Sequence, residues 1–154
     1  MSDATPLERV LRTISWEGDH AVILDQTALP TEQREKALVT MEDAFEAIRT
    51  LQVRGAPLIG VTAAFGLYLG MRAALARPGA DPAAELARCV AYLAGARPTA
   101  VNLTWALHRA AAHVTPILTH GTAAILDALL AFAQSVRRDD LSFGQHRPRR
   151  LQGL

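Results

Sequence analysis

A long stretch without charge limits most strongly how this chain can fold. Between Arg54 and Arg72, the segment from Gly55 to Met71 contains no Asp, Glu, Lys or Arg. A helix that crosses a bilayer needs about 20 apolar residues, whereas this segment is slightly shorter and is diluted by Pro57, Thr62 and several glycines. A helix that is apolar on every side is also typical of the centre of a folded domain. We therefore predict that the segment forms a buried core helix and does not span a membrane.

The residues before this segment predict a small antiparallel sheet. A first short strand is expected from Leu11 to Trp16 and a second from Ala21 to Asp25, with turn residues at Glu17–Asp19 between them. Two apolar runs separated by a turn are typical of a β-hairpin. The polar segment from Thr31 to Val39 is compatible with a helical turn followed by a third short strand. The sheet is thus expected within residues 7–39.

Helical patterns dominate the rest of the chain. Thr40 has the properties of a helix cap, with Asp43 three positions later as the reciprocal carboxylate. Apolar spacing and Pro or Gly boundaries predict further helices at residues 57–75, 82–94, 102–113 and 122–136. The predicted class is α+β and mainly α: a small N-terminal antiparallel β-sheet followed by a helical bundle, in one domain over residues 1–136. From residue 137 the apolar pattern fails, so residues 137–154 are expected to be an irregular, disordered tail.

Charge and residue content argue against several function classes. Sixteen Lys and Arg and fifteen Asp and Glu give a formal charge of +1, so no global field attracts nucleic acid or an acidic membrane. The single cysteine, Cys89, excludes an internal disulfide and fits a reduced, cytoplasmic protein. Residues 1–15 lack the apolar core of a signal peptide, so no secretory leader is expected. Because His108, His113 and His120 are spaced by five and seven positions, we predict no metal site.

A first loop with the properties of an anion site precedes the uncharged segment. It consists of Arg54, Gly55 and Ala56, followed by Pro57, which suits the start of a helix. The free N–H groups at a helix start attract anions, and small residues let a ligand approach the backbone. An arginine adds bidentate recognition of phosphate. The alternative is a plain helix start with a surface arginine, and the loop alone does not decide between them.

A second loop has a similar pattern. Arg97 and Pro98 are followed by polar residues and then by a predicted helix at Asn102. Two arginine loops can converge on one ligand. The alternative is that Thr99 or Asn102 caps the helix, a role that is compatible with ligand binding.

Several strings of this sequence occur together in one family of enzymes. In chain order they are Trp16, Leu24–Thr27 with Leu29–Pro30, Ala47–Arg49, Val53–Pro57 with Ile59–Val61, and Arg97–Leu103 with Trp105–Leu107. Their order and spacing resemble the methylthioribose-1-phosphate isomerase family over about residues 7–110. The wider superfamily contains ribose-1,5-bisphosphate isomerases and regulatory subunits of the translation factor guanine-exchange complex, which remain the alternatives.

The resemblance implies an enzyme of methionine salvage. Its reaction is the aldose–ketose isomerisation of S-methyl-5-thio-α-D-ribose 1-phosphate to S-methyl-5-thio-D-ribulose 1-phosphate, and no cofactor is implied. By the same resemblance, substrate binding falls to Arg54, Gly55, Ala56 and Arg97. Full-length relatives are implied to be homodimers, whereas the oligomeric state of this chain stays open.

The catalytic pair that the resemblance implies is not found in this chain. In the family it is a cysteine in a Thr-His-Cys-Asn string and a later aspartate, both in a Rossmann-like domain that we expect to be absent here. Cys89 lies in another context and is interpreted as a small core residue, and Gly121 replaces the cysteine in the similar string Leu118–Gly121. We therefore assign no catalytic residue. We expect a truncated chain that is inactive alone, with an exposed apolar face where the missing domain would dock; the alternative is a binding or regulatory module.

Overall fold

The computed structural model describes residues 14–28, 34–53 and 55–152, except the side chains at positions 28, 56 and 139–152. Within these residues, three strands come first, at Ile14–Trp16 (β1), Ala21–Asp25 (β2) and Arg34–Leu38 (β3). The helices that follow are Met41–Arg49 (α1), Ala56–Leu75 (α2), Pro82–Ala94 (α3), Val101–Val114 (α4) and Thr122–Gln152 (α5), with short 3-10 turns at Gln26–Ala28 and Thr115–Ile117. The predicted class, a small N-terminal sheet followed by a helical bundle, is confirmed.

The sheet is antiparallel, and β2 lies in its centre. Ile14 of β1 is opposite Ile23 of β2, and Asp25 of β2 is opposite Arg34 of β3. Alternate residues of β2 are buried because successive side chains of a strand point to opposite faces. The predicted hairpin and third strand are both present. The helical turn expected from Thr31 lies outside the described residues, as does the part of the first strand before Ile14.

Aromatic contacts and a guanidinium hold the sheet on α2. The ring of Trp16 stacks on Phe65 with centroids 5.3 Å apart, and Tyr68 meets the same indole edge-on at 5.4 Å. Arg72 Nη1 donates a 2.7 Å hydrogen bond to the carbonyl oxygen of Asp19 in the hairpin turn. The hairpin is therefore fixed to the core at both its strand and its turn.

A second guanidinium ties the sheet to the last helix. Arg137 Nε, on α5, donates a 3.0 Å hydrogen bond to the carbonyl oxygen of Ile14 on β1. Burial lowers the pKa of Arg137 from its ordinary value. The two most distant parts of the described chain thus meet in this bond.

The uncharged segment forms α2, the central helix of the bundle. Helices α1, α3, α4 and α5 all pack against it. By length and composition Pro57–Leu75 could cross a membrane, but 78% of its most apolar window is buried inside the fold. Phe65, Leu67 and Met71 have no exposed surface. The prediction of a buried core helix is confirmed.

Two glycines one turn apart allow neighbouring helices to approach α2 closely. A Cβ atom added to Gly66 would lie 2.8 Å from the Cβ of Ala44 on α1. A Cβ atom added to Gly70 would lie 2.5 Å from the Sδ of Met41 on α1 and 3.0 Å from the Sγ of Cys89 on α3. These distances leave no room for a methyl group, so the glycines set how closely α1 and α3 pack.

The same contacts give the direction of two helices. From Gly66 to Gly70 of α2, the neighbour on α1 moves back from Ala44 to Met41, and the neighbour on α3 moves back from Leu93 to Cys89. Both α1 and α3 are therefore antiparallel to α2.

Short connections give the directions of the remaining helices. Residues 95–100 join α3 to α4, and residues 115–121 join α4 to α5. Packed helices joined by short loops are antiparallel neighbours, and both pairs pack against each other. Helix α4 thus runs parallel to α2, and α5 runs back in the opposite direction.

The start of α1 has the predicted capping box. Thr40 Oγ1 accepts a 3.1 Å hydrogen bond from the backbone N–H of Asp43, and Asp43 Oδ2 accepts a 3.1 Å bond from the backbone N–H of Thr40. Two N–H groups that the helix leaves unpaired are satisfied reciprocally.

The last helix differs from the sequence-based expectation. Residues 137–154 are expected to be irregular, whereas α5 continues to Gln152. The loss of an apolar face predicts the loss of a packing partner, but it does not end a helix. Adding residues to an existing helix is far less costly than starting one, so a helix can continue where the apolar pattern ends.

Candidate functional site

The start of α2 has the backbone geometry that the first loop predicts. Gly55 precedes the helix with φ 91° and ψ 141°, a conformation that residues with a Cβ rarely adopt. Its carbonyl oxygen accepts the first helical bond, 3.0 Å from the N of Ile59. A Cβ atom at this glycine would meet nothing within 4 Å. The glycine is therefore required by the backbone conformation, and the space around it is open to a ligand.

A backbone bond holds the loop before this glycine. The N–H of Gln26, at the end of β2, donates a 2.9 Å bond to the carbonyl oxygen of Gln52. The following Val53 is fully buried. The loop is thus anchored between the sheet and the core, so Gly55 starts from a fixed position.

Two features of this loop are unfavourable by themselves. Leu51 has φ 65°, which costs a residue with a Cβ about 1–2 kcal/mol. The Oε1 atom of Gln52 is buried and has no hydrogen-bond partner among the described residues. Neither residue is predictable from the sequence, because the residue type signals neither the backbone angle of Leu51 nor the missing partner of Gln52.

Asp25 stabilises the turn that begins at Gln26, the residue whose N–H bonds to Gln52. Its Oδ1 accepts bonds from the N (2.9 Å) and Oγ1 (2.6 Å) of Thr27. The hydrogen bond from Thr27 is the main cause that lowers the pKa of Asp25. The carboxylate is almost fully buried, so it serves the local structure and does not face a ligand.

The second loop leads into α4 without a side-chain cap. Arg97 is half-buried, and its carbonyl oxygen accepts a 2.9 Å bond from the N of Ala100. Ala100 occupies the capping position and cannot cap through its methyl group. Capping by Thr99 or Asn102 was the alternative, and it is wrong, since no side-chain cap bond is present. The first N–H groups of α4 remain available to a ligand.

Helix directions place the two loops at the same end of the bundle. Because α4 is parallel to α2, the N-termini of both helices face the same way. Each N-terminus carries the positive end of a helix dipole. The arginine loops that the sequence predicts are therefore brought to one end by the topology of α2, α3 and α4.

The other two helix starts with described caps are less suited to an anion. Thr40 and Asp43 already occupy the start of α1. Asp81 stands at the start of α3 and places a carboxylate there, which repels an anion. The start of α1 thus differs from those of α2 and α4 because its donors are already occupied, and the start of α3 differs because of its negative charge.

A groove of about 150 Å³ lies at the N-terminal end of α1, away from the two arginine loops, and is a weaker candidate. Its charged lining residues are Glu42, Arg72 and Arg88. Arg72 already donates to the carbonyl of Asp19, and Arg88 Nε donates to Glu85 at 2.8 Å. These guanidiniums mainly serve the fold, so we do not assign the groove.

Only some of the predicted site residues lie in the part of the chain that the structure describes. Gly55 and Arg97 are described, and Ala56 is described only as the first residue of α2. Arg54 lies outside the described residues. Within the part of the chain that the structure describes, no three His, Cys, Asp or Glu side chains are grouped so that they could hold a metal ion.

Cys89 lies in the core, away from both loops. It is fully buried on α3, and burial raises the pKa of its thiol above the ordinary value. A protonated thiol that is buried in an apolar core is a poor nucleophile. This placement agrees with the interpretation of Cys89 as a small core residue.

Comparison with known families finds a match over most of the bundle. Residues 52–141 match the model of the Initiation factor 2 subunit family. The match begins just before the first arginine loop and includes the second.

Curated relatives include sugar-phosphate isomerases. The chain is 47% identical over 123 residues to the methylthioribose-1-phosphate isomerase of Symbiobacterium thermophilum, covering 80% of this chain and 34% of the relative. It is 42% identical over 134 residues to the 5-deoxyribose 1-phosphate isomerase of Bacillus thuringiensis, covering 87% and 39%. The chain thus spans between a third and two fifths of the relatives it matches.

Two solved structures have similar folds. One is the 5-methylthioribose 1-phosphate isomerase of Pyrococcus horikoshii, with a TM-score of 0.75 and 29% identity over 89% of this chain and 39% of that one. The other is the delta subunit of the translation initiation factor eIF-2B from A. fulgidus, with a TM-score of 0.74 and 30% identity over 85% and 38%.

Proposed function

Because the chain belongs to the Initiation factor 2 subunit family, we propose that it is the substrate-binding part of a sugar-phosphate isomerase. The substrate in this proposal is S-methyl-5-thio-α-D-ribose 1-phosphate, which is converted to S-methyl-5-thio-D-ribulose 1-phosphate in methionine salvage. The observation that carries the proposal is the pair of uncapped helix starts at one end of the bundle, at Gly55 and at Ala100, each next to an arginine loop.

The phosphate is the group that these loops suit. Backbone N–H groups and the positive ends of two helices favour an anion, and Arg97 adds a guanidinium beside the start of α4. In this proposal Arg54, Gly55 and Ala56 bind the substrate at the start of α2, and Arg97 binds it from the second loop. A 5-deoxyribose 1-phosphate carries the same phosphate, so it would use the same loops.

The isomerisation itself needs more than a phosphate site. The bond between the ring oxygen and C1 breaks, and the ring oxygen takes up a proton. C2 loses its carbon-bound hydrogen and its hydroxyl proton to become a carbonyl, and C1 gains a hydrogen. An acid and a base must therefore reach the ring oxygen and both carbons. The buried polar residues among the described ones are Asp25 and Thr62. Asp25 is engaged by Thr27, and Thr62 Oγ1 donates to the carbonyl of Leu58 at 2.7 Å. We therefore propose that this chain alone binds the sugar phosphate in the cytoplasm but does not isomerise it.

Calorimetric titration of the chain with S-methyl-5-thioribose 1-phosphate tests the binding role. Arg97→Ala should weaken binding at least tenfold. Arg77→Ala is a matched control, because Arg77 lies in the loop between α2 and α3 at the other end of the bundle, where it pairs with Glu85 at 2.9 Å. Equal losses in both variants, or no binding by the unchanged chain, would refute the assigned site.

A second titration separates the phosphate from the rest of the sugar. Inorganic phosphate should compete with the sugar phosphate, since both bind the same N–H groups. Ketose formation by the chain alone, followed by ¹³C NMR of C2, would refute the statement that it is inactive by itself.

A binding module is the second candidate. The fold of the chain is almost as similar to a translation initiation factor subunit as to an isomerase, with TM-scores of 0.74 and 0.75. A chain that binds neither the sugar phosphate nor inorganic phosphate would favour this role.

A further inference from the structure

Helix α1 ends in a Schellman motif, which leads directly into the first arginine loop. The backbone N–H of Leu51 donates a 3.3 Å bond to the carbonyl oxygen of Ile48, and the N–H of Gln52 donates a 2.9 Å bond to that of Ala47. These two bonds define the motif, in which the residue after the C-cap takes a left-handed conformation. The φ of 65° at Leu51 therefore has a local cause in the helix end.

Gln52 occupies the position of this motif that is commonly apolar. The residue at this position often makes a hydrophobic contact with the last turns of the helix. Here it is a glutamine, and its Oε1 atom is buried without a hydrogen-bond partner among the described residues. A buried carbonyl oxygen that lacks a partner destabilises the folded chain. The helix end thus accounts for the backbone of Gln52 but not for its side-chain amide.

The backbone holds Gln52 in a fixed position beside the first arginine loop. Its N–H is bonded to α1, and its carbonyl oxygen accepts the 2.9 Å bond from the N–H of Gln26 at the end of β2. Gly55, at the start of α2, follows Gln52 by three positions, so the two Cα atoms are at most about 11 Å apart. An amide without a partner for its oxygen is therefore held close to the proposed phosphate site.

From these observations we infer that the side-chain amide of Gln52 binds a hydroxyl group of the sugar, next to the phosphate at the start of α2. The inference rests on the proposed function and adds to it a residue that recognises the sugar. A hydroxyl both donates and accepts hydrogen bonds, so it pairs with the amide in either orientation of the amide oxygen and nitrogen. A phosphate dianion only accepts hydrogen bonds, so it cannot be the partner of Oε1.

The amide of the free chain can change its partner at little cost. The side chain of Gln52 is partly exposed, and no hydrogen bond of Oε1 to another described residue has to break when the amide turns toward a ligand. Binding of a hydroxyl would give the oxygen the partner that it lacks.

Paired variants test the inference by calorimetric titration with S-methyl-5-thioribose 1-phosphate at pH 8. Gln52→Met keeps an unbranched side chain but removes the amide, so it should weaken binding by about three- to tenfold, the contribution of one hydrogen bond between neutral groups. Gln134→Met is the matched control and should leave the affinity unchanged. Gln134 is also partly exposed, but it lies on α5, outside both arginine loops.

A ligand without a hydroxyl separates sugar recognition from damage to the loop. Methyl phosphate is a phosphate monoester, and at pH 8 it is a dianion because its second pKa is about 6. Its affinity for Gln52→Met should equal that for the unchanged chain. Equal losses of affinity for methyl phosphate and for the sugar phosphate would overturn the inference, because the substitution would then act on the phosphate site.

The urea midpoint of Gln52→Met tests the premise that the buried oxygen is unpaired. Removing an unpaired buried amide should leave the midpoint unchanged or raise it. A lower midpoint would show that the amide already has a partner in the free chain, such as a water molecule, and would overturn the inference.

The titrations also separate this inference from the proposed function. If the unchanged chain and Gln52→Met bind the sugar phosphate equally well, the inference fails and the proposed function stands. If the unchanged chain binds neither the sugar phosphate nor methyl phosphate, the proposed function fails and the inference fails with it.

Discussion

Replacing Gly66 by alanine tests the close packing of α1 against α2. The added methyl carbon would lie 2.8 Å from the Cβ of Ala44, and that atom can move only if α1 itself moves. Overpacking costs up to about 3 kcal/mol, and a contact this short with an atom fixed to the helix belongs in the upper part of that range, at about 2–3 kcal/mol. The change from glycine to alanine within a helix returns about 1 kcal/mol. We expect a net loss of about 1–2 kcal/mol in the free energy of unfolding, measured by urea denaturation followed by circular dichroism.

Gly70→Ala is the matched comparison on the same helix face. Its nearest atom is the Sδ of Met41, the end of a flexible side chain that can turn away. This variant should lose less stability than Gly66→Ala. Adding Ala44→Gly to Gly66→Ala removes the clash, so the combined loss should be smaller than the sum of the single losses by about 1 kcal/mol. A Gly66→Ala protein as stable as the unchanged chain would refute the packing argument.

Three further outcomes follow from the caps and the buried titratable groups. Thr40→Ala removes one half of the capping box and should lower the free energy of unfolding by about 1 kcal/mol in urea; an unchanged midpoint would contradict it. The lowered pKa of Asp25 gives stability that is present above the unfolded pKa of about 4 and is lost as the pH falls. Asp25→Asn should therefore show a flatter decline of Tm below pH 4, and the same decline of Tm as in the unchanged chain would count against this. The pKa of Cys89 is raised, so the pH dependence of stability has the opposite sign, and stability is lost as the pH rises above the unfolded pKa of about 8.5. Cys89→Ala should therefore reduce the drop in the urea midpoint between pH 8 and 10.

Features with a local cause were predictable from the sequence. The capping box at Thr40 needs only two residues three positions apart, and the hairpin before Asp25 needs only a turn between two apolar runs. The buried helix α2 follows from its lack of charge. The glycine before α2 was expected at the first arginine loop, and its positive φ explains why a glycine is needed there.

Features that depend on distant contacts were not predictable. The bond from Gln26 to Gln52 links a strand end to a loop, and no pattern in either segment indicates the other. The start of α4 at Val101 leaves Ala100 in the capping position, although polar neighbours suggested a side-chain cap. The placement of the starts of α2 and α4 at one end of the bundle follows from the helix directions, which depend on packing between distant segments.

The bond between Arg137 and the carbonyl oxygen of Ile14 has a consequence for biosynthesis. The two residues are 123 positions apart in the chain. At about 5–20 residues per second, a ribosome needs about 6–25 s to make the second partner after the first. Throughout that interval β1 lacks this attachment and depends on its pairing with β2 and on the stacking of Trp16 on Phe65. A pause in translation between these positions would lengthen the time in which the hairpin can bind a chaperone or a wrong strand.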